Sequence, residues 1–227
     1  MLEIEEELGE PEKPSPWWAD TVRAEAFSDS VLAIIITLLV LELRPPDTEP
    51  GRLLSGLIDQ WPSYLAYVVS YLYVGIVWTN HKAAFRRIRW TNQGLHWVNL
   101  LVLFVTGLLP FPTAVVSRTL ESGNLTDEQV AIALYALIGT LLSLSWLIFY
   151  EYLCRHPGLI EPGTDPAYFP SGRIRALVGA ALYALGGVAG YLFTPLLGLV
   201  IFLIIPIFWG LTSEGLYTLP LRQSTIR

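Results

Sequence analysis

Residues 23–41 read RAEAFSDSVLAIIITLLVL: a polar opening of Arg23, Glu25, Ser28, Asp29 and Ser30 runs into an apolar stretch in which Thr37 is the one polar side chain. A charge-free apolar run of this kind predicts a helix that crosses a bilayer. Arg44-Pro45-Pro46 stops it sharply, because proline lacks the backbone donor of a continuing helix and restricts the residue before it. Similar runs recur, and the spans are placed near 26–43, 62–80, 95–117, 129–153, 174–193 and 195–213. The expected fold is an all-α integral membrane protein with six transmembrane helices per subunit.

Composition agrees. Of 227 residues, 53% are hydrophobic and 15% charged, against about 45–50% and about 25% in a soluble domain. Mean hydropathy is +0.49. The expected organisation is an acidic, disordered cytoplasmic tail over 1–20, a six-helix membrane domain over 21–217 and a short tail over 218–227. MLEIEEELGEPE (1–12) lacks the basic start and apolar run of a secretory signal. A net charge of −6 gives no general attraction to nucleic acid. Cys154, the single cysteine, cannot form an intramolecular disulfide or a CxxC metal site.

Of the 14 basic residues, eleven fall on the side of the N-terminus: Lys13, Arg23, Lys82, Arg86, Arg87, Arg89, Arg155, Arg173, Arg175, Arg222 and Arg227. Arg44, Arg52 and Arg118 fall on the other. Both termini are therefore expected in the cytoplasm. Trp17, Trp18, Trp61, Trp90, Trp97 and Trp209 lie near span ends, where an aromatic belt forms. Thr126 with Glu128 or Gln129 suits the start of the fourth helix. Thr194-Pro195 alone separates the last two spans and requires a tight hairpin, and Gly186 and Gly190, below Ala176, Ala180 and Ala184, suit close helix packing.

Ionisable groups in a membrane segment usually face protein or water and often mark function. In the first span, Ser28 or Asp29 could simply cap the helix start, with Arg23 at the headgroups. Trp78, Asn80 and His81 end the second span, and His96 and Asn99 begin the third. Their convergence would form a buried hydrogen-bonded cluster at the inner end. Such a cluster is more often structural than chemical. Asp29, His81 and His96 lack the spacing of a known metal signature, phosphate-binding glycine loops are absent, and no catalytic residue, metal or cofactor is called for. Ile34, Thr37, Leu38 and Leu41 share one helical face. That stripe either packs against helices or lipid, or surrounds an axis with its symmetry copies as a hydrophobic constriction that gates by dewetting. The TVGYG filter of ordinary potassium channels is missing.

Arg23-x-x-x-Phe27-Ser28-Asp29, followed by Ala33-Ile34-Ile35-Ile36-Thr37, resembles the signature of the transmembrane protein 175 family of endolysosomal potassium channels and their bacterial homologues. Trp78-x-x-His81, the Leu109-Pro110-Phe111-Pro112-Thr113 segment closing span three, and the span count extend the resemblance over nearly the whole chain. Lys82 departs from it, standing where bacterial members often carry a second histidine. The resemblance implies a homotetramer with its pore lined by the first helix. Ile34 would be the principal constriction, Leu38 and Leu41 further layers, and Thr37 a polar ring. Arg23, Phe27, Ser28, Asp29, Trp78 and His81 would form a network joining helices one and two. The expected activity is a potassium-selective leak channel in the bacterial cytoplasmic membrane, whose partners are its own copies, the bilayer and permeant potassium ions. The alternatives are a proton-coupled small-solute transporter using Asp29 and His81, and a membrane enzyme using His81, His96 and Asp29.

Overall fold

The computed structural model describes residues 21–212; the two expected tails, and with them Trp17, Trp18, Lys13, Arg222 and Arg227, lie outside the described residues. The architecture is almost wholly helical: α1 (Thr21–Leu39), α2 (Leu53–Asp59), α3 (Trp61–Phe85), α4 (Gln93–Gly107), α5 (Pro110–Ser122), α6 (Leu125–Arg155), α7 (Tyr168–Leu192) and α8 (Pro195–Thr212). Among the described residues, five helical stretches are long and apolar enough to cross a membrane: 21–42, 93–122, 125–155, 168–192 and 195–212. The expected second span corresponds to α3, which has 25 residues but is not among the five. Tyr64, Tyr67, Ser70, Tyr71, Tyr73, Thr79, Asn80 and His81 dilute its apolar character.

Helix α1 tightens into a 3-10 turn over Val40–Glu42, so Leu41 sits just beyond the α-helix. It starts at least as early as Thr21, which leaves Ser28 and Asp29 inside the helix rather than capping it. The expected third span is not continuous. Pro110 and Pro112 have no N–H to donate, and the chain turns through Leu108 and Leu109, whose amides reach back three residues, to Val105 and Thr106 (both 3.1 Å). The Leu109–Thr113 segment therefore starts a helix instead of closing one. The cap of α6 also differs from expectation: Asn124, not Thr126, accepts the Asp127 N–H at 3.1 Å, and the helix begins at Leu125.

The core is built around α6, which packs against α4, α5, α7 and α8. Small residues set the closest approaches. A Cβ on Gly186 would meet Ile201 and Phe202 of α8, and one on Gly190 would meet Ile132 of α6 and Gly198 of α8. Tyr183 of α7 meets Tyr73 of α3 edge-on and Phe202 of α8 at a tilt, with ring centroids 6.0 and 5.5 Å apart. Thr194-Pro195 makes the expected hairpin, with the Leu197 amide on the Thr194 carbonyl at 3.0 Å. Trp61 and Trp97 are exposed, as an interfacial belt requires, but Trp209 is buried against Gly179.

One end of the bundle carries Arg23, Lys82, Arg86, Arg87, Arg89, Arg155, Arg173 and Arg175. The connections after α3 and α6 join there through an Ile88–Ile160 bridge, and the Arg87 guanidinium lies 3.9 Å over the Tyr168 ring. Arg44, Arg52 and Arg118 lie at the other end, where Arg118 faces Glu42 at 4.0 Å.

Candidate functional site

Helix α1 packs one face against α3 and α4. Ala24, Ser28, Leu32, Ile35 and Leu39 form that face, and all are buried. The opposite face carries Arg23, Phe27, Ile34, Thr37, Leu38 and Leu41, all exposed. Ile34 is 58% exposed, Leu38 43% and Leu41 65%. Of the five apolar spans α1 is the least buried. The Thr37 hydroxyl donates to the Ile34 carbonyl at 2.8 Å, so its remaining lone pairs are displayed on an otherwise apolar stripe. The stripe is therefore neither folded inward nor covered by another described helix.

Polar side chains link α1 to its neighbours through two separate connections. Trp78 Nε1 donates to Asp29 Oδ1 at 2.9 Å, a contact that is partly open to the surroundings. The second connection is fully buried. Ser28 Oγ donates to the Ala24 carbonyl at 2.9 Å and accepts from Asn99 Nδ2 at 2.8 Å, while Asn99 Oδ1 faces His81 Nε2 at 2.9 Å. The chain fixes directions. Because the Ser28 hydrogen is spent on Ala24, Asn99 must present its amide hydrogens to Ser28 and its oxygen to His81, so His81 carries its proton on Nε2. Its Nδ1 is buried with no hydrogen-bond partner among the described residues, and the ring stacks on Phe85 at 4.3 Å. A neutral imidazole fits this environment; a second ring proton would have no acceptor.

The network thus joins α1, α3 and α4 rather than the first two spans alone. Of the six residues expected in it, Ser28, Asp29, Trp78 and His81 participate. Arg23 makes no ion pair among the described residues, and Phe27 is 52% exposed. Asn99, 3% exposed, is the bridge: it is missing from the six residues that the resemblance implies, but it belongs to the cluster expected where the polar ends of the first three spans converge, as an amide inside an apolar run signals a partner across a helix interface. The His96 side chain makes no hydrogen bond among the described residues, and no group of three or more metal-ligating side chains occurs among them.

A second polar seam, unforeseen in the sequence, joins α3 to α5 toward the other end. Ser70 Oγ and Thr113 Oγ1 are 2.7 Å apart. Ser63 Oγ pairs with Ser117 Oγ at 2.5 Å and contacts the Glu121 carboxylate. Ser63, Ser70, Thr113 and Ser117 are all buried, so these bonds hold the broken helix against α3 where a lone hydroxyl would be costly.

Residues 23–110 match the family model described as endosomal/lysosomal potassium channel TMEM175. A potassium channel of Streptomyces collinus is 38% identical over 175 residues, covering 77% of this chain and 84% of its own. One from a Chryseobacterium species is 31% identical over 188 residues, covering 82% and 91%. The human endosomal/lysosomal proton channel TMEM175 is 36% identical over 97 residues, 39% of this chain and 19% of that one. Among solved structures, a lysosomal potassium-selective channel TMEM175 homologue from Chamaesiphon minutus superposes with a TM-score of 0.72 at 28% identity, covering 84% of this chain and 96% of that one. With relatives above 30% identity aligned over most of their length, the chain belongs to the transmembrane protein 175 family of ion channels.

Proposed function

We propose that this protein is the subunit of a potassium-selective, leak-type channel, a fourfold homo-oligomer whose pore is lined by α1. In this reading Ile34 forms the narrowest apolar ring, Leu38 and Leu41 add layers, and Thr37 contributes a ring of hydroxyls. The observation that carries it is the stripe itself: α1 buries one face in its own subunit and leaves Ile34, Thr37, Leu38 and Leu41 uncovered. One helix cannot enclose a conducting path, so the stripe requires symmetry partners. Potassium is preferred because the relatives aligned over most of their length are named potassium channels.

The selectivity mechanism follows from hydration. Potassium holds its water less tightly than sodium, so an apolar ring that strips part of the shell costs potassium less. No filter of backbone carbonyls is needed, and discrimination is modest. The reading places the chain in a bacterial cytoplasmic membrane, with α3 as the sixth crossing and the arginine-rich end, with both termini, inside. A proton-coupled transporter using Asp29 and His81 fits less well. The two residues belong to different hydrogen-bonded connections, and His81 is 0% exposed, which leaves it no aqueous route for a proton. The broken third span is compatible with either reading.

Reversal potentials in planar bilayers test the channel. Ile34→Asn should raise potassium and sodium flux together and weaken discrimination, because a wet ring no longer forces dehydration. Ile36→Asn, on the half-buried side of α1, should lower stability and leave selectivity unchanged. A well-folded Ile34→Asn protein with unaltered selectivity would remove this residue from the pore.

A further inference from the structure

At the arginine-rich end, residues of α6 and α7 line a cleft of about 530 Å3 that the pore reading does not use. Its rim is a clamp: Glu151 Oε1 lies 2.7 Å from Arg155 Nε and Glu151 Oε2 lies 3.0 Å from Arg173 Nε. One carboxylate thereby positions two guanidinium groups and leaves the site with one net positive charge. Each arginine spends its Nε on Glu151, and their Nη groups make no hydrogen bond among the described residues. Below the rim the cleft is walled by Leu147, Ile148 and Leu177. Arg155 to Ile148 is about two helical turns along α6, or about 10 Å, and Arg173 to Leu177 about one turn along α7, each leading from the bundle end toward the membrane core.

We propose that this cleft binds an anionic glycerophospholipid from the leaflet on that side. Its phosphodiester would sit on the paired guanidinium groups and an acyl chain would lie along Leu147, Ile148 and Leu177. Three features select this occupant. Arginine is the side chain whose fork of N–H donors matches a phosphate, and Glu151 holds two such forks at fixed positions. The net charge of the clamp is opposite to that of a phosphodiester. The polar and apolar parts are stacked in the order in which a lipid presents headgroup and tail, at the depth where basic pockets between transmembrane helices take up acidic lipids. A purely structural staple between α6 and α7 would need the carboxylate and the two Nε atoms, but not an open cleft with apolar walls beneath them.

Native mass spectrometry and thermal melting of the intact protein in mild detergent test this, with phosphatidylglycerol, phosphatidylcholine of the same acyl chains, or inorganic phosphate added. Phosphatidylglycerol is expected to remain bound and raise the melting temperature more than phosphatidylcholine. Arg155→Gln and Arg173→Gln should each weaken that binding about fivefold and together about thirtyfold. Arg86→Gln, an exposed arginine at the same end outside the cleft, should leave it unchanged. Equal retention of both lipids, or undiminished phosphatidylglycerol binding by a folded Arg155→Gln protein, would overturn the proposal. So would an equal shift with inorganic phosphate alone, which would assign the clamp to a soluble anion. Arg155 is mostly exposed, so its single variant keeps the test decisive should the double variant fail to fold.

Discussion

The Ser28–Asn99–His81 chain makes a quantitative demand, because each of its members is buried and each bond fixes the next. Asn99→Leu removes both side-chain bonds that cross between helices, stranding the His81 Nε2–H and leaving Ser28 Oγ without its donor. An unsatisfied buried group costs about 1–3 kcal/mol, although hydrogen bonds between membrane helices average about 0.6 kcal/mol. Together these place the substitution at about 2–4 kcal/mol. Ser28→Ala strands only an Asn99 amide hydrogen, at about 1–2 kcal/mol. The two costs should not add. Once Asn99 is leucine, no donor is left for Ser28→Ala to strand, so the double variant should be about as stable as Asn99→Leu alone, a coupling of about 1–2 kcal/mol. Asp29→Asn keeps an acceptor for Trp78 and should add to Asn99→Leu independently. The assay is equilibrium unfolding in mixed micelles titrated with a denaturing detergent, at one protomer concentration. Additivity of Ser28→Ala and Asn99→Leu to within about 0.3 kcal/mol would refute the directional chain, and with it the assignment of the His81 proton to Nε2.

The remaining predictions are simpler. Gly172→Ala places a Cβ 2.7 Å from Tyr150 Cε1 and should destabilise by about 1–3 kcal/mol, whereas Gly75→Ala meets nothing within 4 Å and should be neutral or stabilise by up to about 1 kcal/mol; the same unfolding assay compares them. His81→Ala should cut the yield of folded, assembled protein more severely than Asp29→Ala, since His81 is fully buried on Phe85 and Asp29 is half-exposed, and size-exclusion profiles report both. In right-side-out vesicles, a cysteine placed at Asn124 should label with an impermeant thiol reagent and one at exposed Arg86 should not; labelling of position 86 from outside would invert the topology.

What the sequence discloses and what it withholds divide along the physical origin of each feature. Helical periodicity reports which side chains a helix turns the same way, so the stripe of Ile34, Thr37, Leu38 and Leu41 is legible from spacing alone. Its exposure is not, because that depends on where α3 and α4 pack; here Ser28, Leu32, Ile35 and Leu39 take the inward positions and the stripe is left over. The polar network is half legible for the same reason. Ser28, His81 and Asn99 stand out as polar groups that hydrocarbon does not tolerate unpaired, and their common depth brings them into one neighbourhood, but the identity of the bridge follows only from α4 lying against α1. The break before Pro110 was hidden by a different cause: an apolar run from 95 to 117 reads as one span whatever its backbone does. Two prolines spaced by two residues remove neighbouring donors, and that spacing is the sign of a discontinuity. The hydroxyls that secure the broken segment were visible in principle. Ser63 and Ser70 are seven residues apart on α3, Thr113 and Ser117 four apart on α5, so each pair lies on one helical face. Two faces of small hydroxyls inside apolar helices satisfy one another by meeting, and here they meet across the break.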